Sequence, residues 1–245
     1  MKAYIQTDKN GEFYNVNAFI AYEGFKHFGF EIEKYFDINN IKDKIPEDII
    51  VGGIGNVRRR IELLGIERKQ KEIDYPEELE KYLNRKIWKT TLEEVLQQKH
   101  FNIFIKPDID TKKFAGKVFK NELDFIGLID ENHPTKVLCS EIVNFKTEFR
   151  CFIRYKEILD IRRYKGDLDN SIDLETVINA ISDFKSQPKS FALDFGITEN
   201  NKTVLVEVND GHSLGSYGIS SQNYAKFLSA RWSELTNNTI DYLNF

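Results

Sequence analysis

Two runs in residues 191–211 carry the reading: Phe191-Ala-Leu-Asp194-Phe-Gly196, then Thr203-Val-Leu-Val-Glu207-Val-Asn209-Asp210-Gly211. Both read as strands. Successive side chains of a strand point to opposite faces, so Val204, Val206 and Val208 share one face and Glu207 and Asn209 the other. The Cα atoms of Glu207 and Asn209 then lie about 7 Å apart, and their oxygens can share a small cation. Asp194 has Ala192 and Gly196 on its face, and these small residues leave room beside its carboxylate. Mg²⁺ takes hard oxygen ligands and keeps waters and nucleotide phosphates in its shell. Asp194, Glu207 and Asn209 are therefore candidates for a Mg–nucleotide site. A solvated strand face shows the same alternation, and the pattern alone does not separate the two.

Upstream, Phe101-Asn-Ile-Phe-Ile-Lys106-Pro107 closes an apolar strand with a lysine. Such a lysine suits a phosphate contact by a point charge, or it simply snorkels from a strand end. Lys113 and Lys117 flank Gly116, where a bare backbone can approach phosphates closely. Glu148, Arg150, Phe152 and Arg154 share one strand face, and Arg162, Arg163 and Lys165 follow. Arginine forks fit carboxylate or phosphate, whereas a charged hairpin edge guards against aggregation. The stretch from Asp210 to Gly218 is glycine-rich and reads as a closing loop or an ordinary turn. Arg58, Arg59 and Arg60 read as a solvated helix face first, and as an RNA or acidic-partner patch second.

Around these runs the pattern predicts strands at residues 2–6, 30–36, 49–51, 101–106, 113–119, 137–140, 148–155, 157–164, 191–195 and 203–209. Helices are expected at 17–27, 56–64 with Asn56 as N-cap, 77–83, 174–186 and 221–235. Strand–helix alternation gives an α/β piece over about the first 75 residues. An α+β piece with a mostly antiparallel sheet follows.

Of 245 residues, 41% are hydrophobic and 30% charged, as in an ordinary globular chain. The net charge of −4 counts against general nucleic-acid binding. No apolar run approaches the roughly 20 residues that span a bilayer. The start of the chain shows no signal core. The two cysteines, Cys139 and Cys151, make no disulfide framework, and Cys151 reads as a buried small hydrophobe. These features predict a cytoplasmic protein. The four histidines are scattered and give no zinc spacing. P-loop and G-x-G-x-x-G motifs are both missing.

Taken in order, the motifs resemble the ATP-grasp superfamily over residues 85–235. Lys106-Pro107 comes first, then Phe114-Ala-Gly-Lys117, then Ser140-Glu141-Ile-Val143, then Glu148-Phe-Arg150. Asp194 follows, with Glu207-Val-Asn209 beginning 13 residues later. The tail and the glycine loop look like a compact bacterial and phage subgroup without assigned substrates. The resemblance implies an α+β fold, with two α+β lobes gripping ATP on mostly antiparallel sheets. It places a small α/β domain at 1–80 before an ATP-grasp domain at 81–245.

By the same resemblance, Lys106 contacts the α- and β-phosphates, with Lys89, or its rival Lys86, as a second lysine. Lys117 belongs to the glycine hairpin. Glu141 and Val143 form the adenine hinge, and Glu148 accepts from the ribose. Asp194, Glu207 and Asn209 hold one or two Mg²⁺. Arg150, Arg162, Arg163 and Lys165 face the γ-phosphate or the acyl phosphate formed from it. The implied activity is ATP-dependent carboxylate–amine ligation through an acyl phosphate, releasing ADP and phosphate. Its substrates would be a small-molecule or peptide carboxylate and an amine acceptor. A non-catalytic or regulatory ATP-binding protein is the alternative.

Overall fold

The computed structural model describes residues 1–67, 73–108, 114–130 and 133–245. In chain order the first elements are β1 (Lys2–Gln6), α1 (Val16–His27), β2 (Glu31–Tyr35), β3 (Ile49–Val51), α2 (Ile54–Leu63) and α3 (Glu80–Leu83). Next come β4 (Ile87–Thr91), α4 (Leu92–Gln97), β5 (Ile103–Pro107), β6 (Lys117–Phe119) and β7 (Lys136–Ser140). The last are β8 (Phe145–Arg154), β9 (Glu157–Gly166), α5 (Leu174–Asp183), β10 (Ser190–Thr198), β11 (Thr203–Asp210) and α6 (Ser221–Leu235). The chain divides into two compact units, Met1–Tyr82 with Lys146–Phe245, and Leu83–Phe145.

The larger unit holds two sheets. In the first, β1 lies between β2 and β3, parallel to both. Parallel neighbours need a crossover, and α1 supplies it between β1 and β2. Ala3, Tyr4 and Ile5 are all buried, as in a strand covered on both faces. Asn15 caps α1, its side chain accepting from the Ala18 amide at 3.0 Å. Gly24 lies where α1 meets the start of α6. A Cβ there would stand 2.0 Å from the Ser221 carbonyl oxygen, so only glycine permits the approach.

The second sheet runs β11-β10-β8-β9 and is antiparallel. Phe184, after α5, meets Phe191 of β10 edge-on at 5.3 Å. On β8, Phe152 meets Phe227 of α6 at 5.3 Å. Phe152 and Ala192 thereby join the core that α1, α6 and the parallel sheet share.

In the smaller unit the sheet order is β4-β7-β5-β6, again antiparallel. Ile103, Ile105, Val137 and Cys139 pack with Leu92, Val95, Phe119 and Phe125. Alternation puts Lys89, Phe104, Lys106 and Leu138 on the opposite face.

Several expectations shift. The 77–83 helix is a 3₁₀ turn, Glu77–Leu79, running into α3. Helix α2 begins at Ile54 after Gly53, with no side-chain cap, so Asn56 lies inside its first turn. Strand β4 and helix α4 were not anticipated. The strand expected at 113–119 is β6, Lys117–Phe119, and Lys112 and Lys113 lie outside the described residues. The arginine run is no uniform solvated face. Arg60 is buried beside Val57 and Ile61, one turn apart, and donates to the Asp43 carbonyl at 2.6 Å. Both cysteines are buried free thiols, as read for Cys151. Among the described residues, no helix is long and apolar enough to cross a membrane.

Candidate active site

One face of the antiparallel sheet in the larger unit gathers the predicted polar residues. Asp194 on β10 stands directly opposite Glu207 on β11, and Ala192 opposite Asn209. A register shift between Asp194 and Phe195 brings Leu205 opposite Phe195. Strict alternation of Val204, Val206 and Val208 therefore fails: Leu205 is fully buried, whereas Val206 is half-buried. The bulge leaves Glu207 and Asn209 on the face with Asp194 and re-aims the rest of the strand.

Asp194 is buried and gripped by Arg150 of β8. Nε donates to Oδ1 at 2.8 Å and Nη2 to Oδ2 at 2.6 Å, a bidentate fork. The third arm, Nη1, donates to the Gly215 carbonyl at 3.3 Å. The guanidinium carbon lies 4.6 Å from the Tyr217 ring centre, and Tyr217 stacks on Tyr164 at 4.8 Å. Asn209 Nδ2 lies between two carboxylates, 3.1 Å from Asp194 Oδ2 and 3.4 Å from Glu207 Oε1. Burial pushes the Asp194 carboxyl up to about 6 against the pull of Arg150, and the charges of Glu207 and Glu148 add to the rise.

Glu148 is buried at the next ladder position. It accepts from the Tyr164 hydroxyl at 2.8 Å and pairs with Lys165. Arg162 stands opposite Arg150 and is held by Asp160 at 2.7 Å. Arg163 is exposed and donates to the Gly166 carbonyl. Arg150, Glu148, Asp194, Glu207 and Asn209 are thus brought together, while Arg162 and Arg163 are engaged by their own hairpin.

The donor set fits a hard divalent cation. Two carboxylates face each other across paired strands, and a positively polarised amide nitrogen already sits between them. Turning the Asn209 amide over presents Oδ1 instead, completing an oxygen set of the kind Mg²⁺ takes. No group of three His, Cys, Asp or Glu side chains suited to a metal occurs among the described residues, so the amide is needed to complete the set.

In the smaller unit, Lys89 and Lys106 both stand opposite Leu138, one on each side of β7. They therefore share a row and a face, two strand spacings or about 10 Å apart. Lys86 is of opposite parity to Lys89, and its ammonium lies 5.7 Å from the Trp88 ring centre. Lys89 also pairs with Asp108 at 3.5 Å. Gly116 adjoins Lys106: a Cβ there would lie 3.1 Å from Lys106 Cβ and 2.6 Å from Phe104 Cζ. Lys117, one residue on, donates to the Asp124 carbonyl at 3.2 Å. The Glu141 carboxylate accepts from the Lys86 amide at 2.8 Å, and the Glu141 amide donates back to the Lys86 carbonyl at 3.1 Å. Val143 is half-buried in the extended run after β7.

Sequence reasoning missed the Arg150–Asp194 fork, the Tyr164–Tyr217 stack over it, and a second fork between Arg231 and Asp210. Each joins residues remote in sequence, and the shared face of Glu148 and Arg150 was the one available signal.

A family profile described as "ATP-grasp domain, R2K clade family 2" matches residues 82–227. No curated protein matches in sequence. D-alanine–D-alanine ligase from Bacillus anthracis is similar in structure, with TM-score 0.58 and 13% identity, covering 97% of this chain and 99% of that one. N5-carboxyaminoimidazole synthetase from Staphylococcus aureus aligns at TM-score 0.59 and 11% identity, over 98% and 78% of the two chains. Macrocyclase MdnC from Microcystis aeruginosa MRC, solved with precursor peptide MdnA, aligns at 0.53 and 13%, over 93% and 99%. These likenesses show a shared fold.

Proposed function

The chain belongs to family 2 of the R2K clade of ATP-grasp domains, and on that premise we propose that it is an ATP-dependent carboxylate–amine ligase. The gathering of Asp194, Glu207 and Asn209 on one sheet face carries the reading. When bound, Mg²⁺ would neutralise the triphosphate, so that a substrate carboxylate takes the γ-phosphoryl group and an amine then displaces phosphate. Chemistry of this kind rests on positioning and charge neutralisation rather than on a protein nucleophile.

Glu207, Asn209 and Asp194 hold the cation. Arg150 orients Asp194 and fixes Gly215, which makes it a positioning residue in this reading. Lys106 and Lys89 contact phosphates, and Lys89 is preferred over Lys86 because it shares a face with Lys106. Lys117, beside Gly116 at the start of β6, approaches the phosphates in this reading. Glu141 and Val143 offer backbone groups to the base. Tyr164 and Lys165 fix Glu148, whose remaining lone pairs accept from the ribose. Arg162, Arg163 and Lys165 lie along the hairpin as cations for the γ-phosphate. The 1–80 and 81–245 division stands as the proposed domain boundary, and the cytoplasm as the proposed compartment.

ADP release in the presence of Mg²⁺, ATP and panels of carboxylates and amines tests the reading. Asp194→Ala and Glu207→Ala are expected to abolish turnover, and Lys106→Ala to weaken ATP binding by calorimetry. Normal turnover in both acidic variants removes the metal assignment. A regulatory ATP-binding protein is the second reading, favoured by the grip of Arg150 on Asp194. ATP binding without acceptor-dependent ADP release would establish it.

A further inference from the structure

A cavity of about 60 Å³ lies within the larger unit. It opens at the carboxyl ends of β1 and β3. The sheet order reverses here, since β1 leads to β2 on one side and β3 joins on the other. Open α/β sheets place ligands at such a switch point. The floor is apolar, formed by Ala18, Val51, Leu214, Leu228 and Trp232. The rim carries Asn15, Asn17, His212, Ser213 and the Gly52-Gly53 backbone.

Two features of this cavity select a ligand. The first is size. An apolar cavity of about 150 Å³ holds benzene, so 60 Å³ holds a short alkyl group of about three carbons. The second is charge. Among the described residues lining the cavity there is no Asp, Glu, Lys or Arg. A free amino acid would bring an ammonium and a carboxylate, and the one lining side chain able to answer either with charge, His212, already stands 3.8 Å from Asp210. A residue inside a peptide brings neutral amides, whose carbonyls the side-chain Nδ2 groups of Asn15 and Asn17 can meet, while the oxygens of both asparagines, the Gly53 amide and the Gly52 and Gly53 carbonyls are engaged within the fold.

One wall connects the cavity to the acidic face. Ser213 donates to the Gly52 carbonyl at 2.7 Å, and Ser216 is held by Asn17 at 2.9 Å. Between these two anchors, Gly215 accepts from Arg150, the residue that grips Asp194. The segment that walls the cavity is thus tied to the candidate cation site.

We propose that this cavity seats a short aliphatic side chain of a neutral, peptide-like substrate. What becomes of the bound peptide rests on the ligase reading, but the binding itself does not. The test is a chemical-shift titration of the full ¹⁵N-labelled chain, without nucleotide. Its probes are N-acetyl-valine-N-methylamide, the glycine analogue and free valine.

Each buried methylene contributes about fourfold. Capped valine is therefore expected to bind at least tenfold tighter than capped glycine, and tighter than free valine, with the largest shifts at Gly52 and Gly53. Ala18→Leu, which fills the cavity, should remove the preference for valine. Leu228→Ala, which enlarges it, should move the preference to capped leucine or phenylalanine, so the proposal does not rest on one variant folding. Equal affinity for the two capped residues, or tighter binding of free valine, overturns it. Acceptor-dependent ADP release with no capped-valine binding would end this proposal alone. Binding without any ADP release would end the ligase reading alone.

Discussion

Two Arg–Asp forks occupy the larger unit, and they differ in one respect. Arg150 grips Asp194 at 2.8 and 2.6 Å, and Arg231 grips Asp210 at 2.5 and 2.7 Å. Both arginines are buried, 5% and 8% exposed. Yet the Asp194 carboxyl is raised to about 6 and that of Asp210 is lowered. Burial raises both, so the neighbours decide the sign. Asp194 faces Glu207 and Glu148, which add to the rise, whereas Asp210 has Arg231 and His212, which outweigh burial. The Arg231 fork ties β11 to α6 and is completed by Glu234 at 2.8 Å. The Arg150 fork lies among three carboxylates, Asp194, Glu207 and Glu148, which suits a site for a cation.

The largest expected effect comes from cutting either fork. Removing one partner of a buried pair costs about 3–5 kcal/mol because the other charge stays buried. Arg150→Ala and Arg231→Ala should both lower the unfolding free energy measured in urea by that order. Millimolar Mg²⁺ should separate them. It restores part of the stability of Arg150→Ala, where a cation can join Asp194 and Glu207, and little of that of Arg231→Ala. Equal rescue, or none in either, would reduce the two forks to the same structural device.

The sequence made much of one side of this comparison legible and almost none of the other. Alternation within a single strand placed Glu207 with Asn209, because side-chain period is a local property. Register placed Asp194 against Glu207, and the ordered motifs anticipated that pairing. Arg150 was seen on the Glu148 face, but its partner lies 44 positions away and depends on β8 pairing with β10. Asp210 read as part of a turn, since nothing local points to Arg231 on a later helix. The bulge after Asp194 was equally hidden: one extra residue on β11 leaves no mark in composition. Arg60 shows the reverse error, where three adjacent arginines suggested a charged face and helical geometry buried one of them.

A second prediction uses acidity. The folded value of Asp194, about 6, lies above the unfolded value near 3.9, so the folded state binds the proton more tightly. The stability this contributes is complete below about pH 4 and is lost as pH rises through 6. The change is on the order of 3 kcal/mol. Asp210 behaves oppositely. Its stabilisation is present above the unfolded value and lost as acid drives pH down through the lowered folded value. Chemical unfolding from pH 3 to 7 should show Asp194→Asn without the decline between 4 and 6. Asp210→Asn should show a smaller loss below 4. Identical profiles would mean that neighbouring carboxylates do not set the difference.

The smallest effect lies at the rim of the same network. Lys165 pairs with Glu148, but its side chain is 66% exposed, against 6% for Arg150. Water screens that pair, and exposed ion pairs contribute about 0–1 kcal/mol. Glu148 also keeps the Tyr164 hydroxyl when the lysine is gone. Lys165→Ala should therefore lower the unfolding free energy by less than about 1 kcal/mol, while Arg150→Ala lowers it several times as far. Both cations pair with a carboxylate of the same sheet face, so the ratio isolates burial as the variable. A Lys165→Ala loss as large as that of Arg150→Ala would place the stabilising force in summed charge on the face rather than in the buried fork.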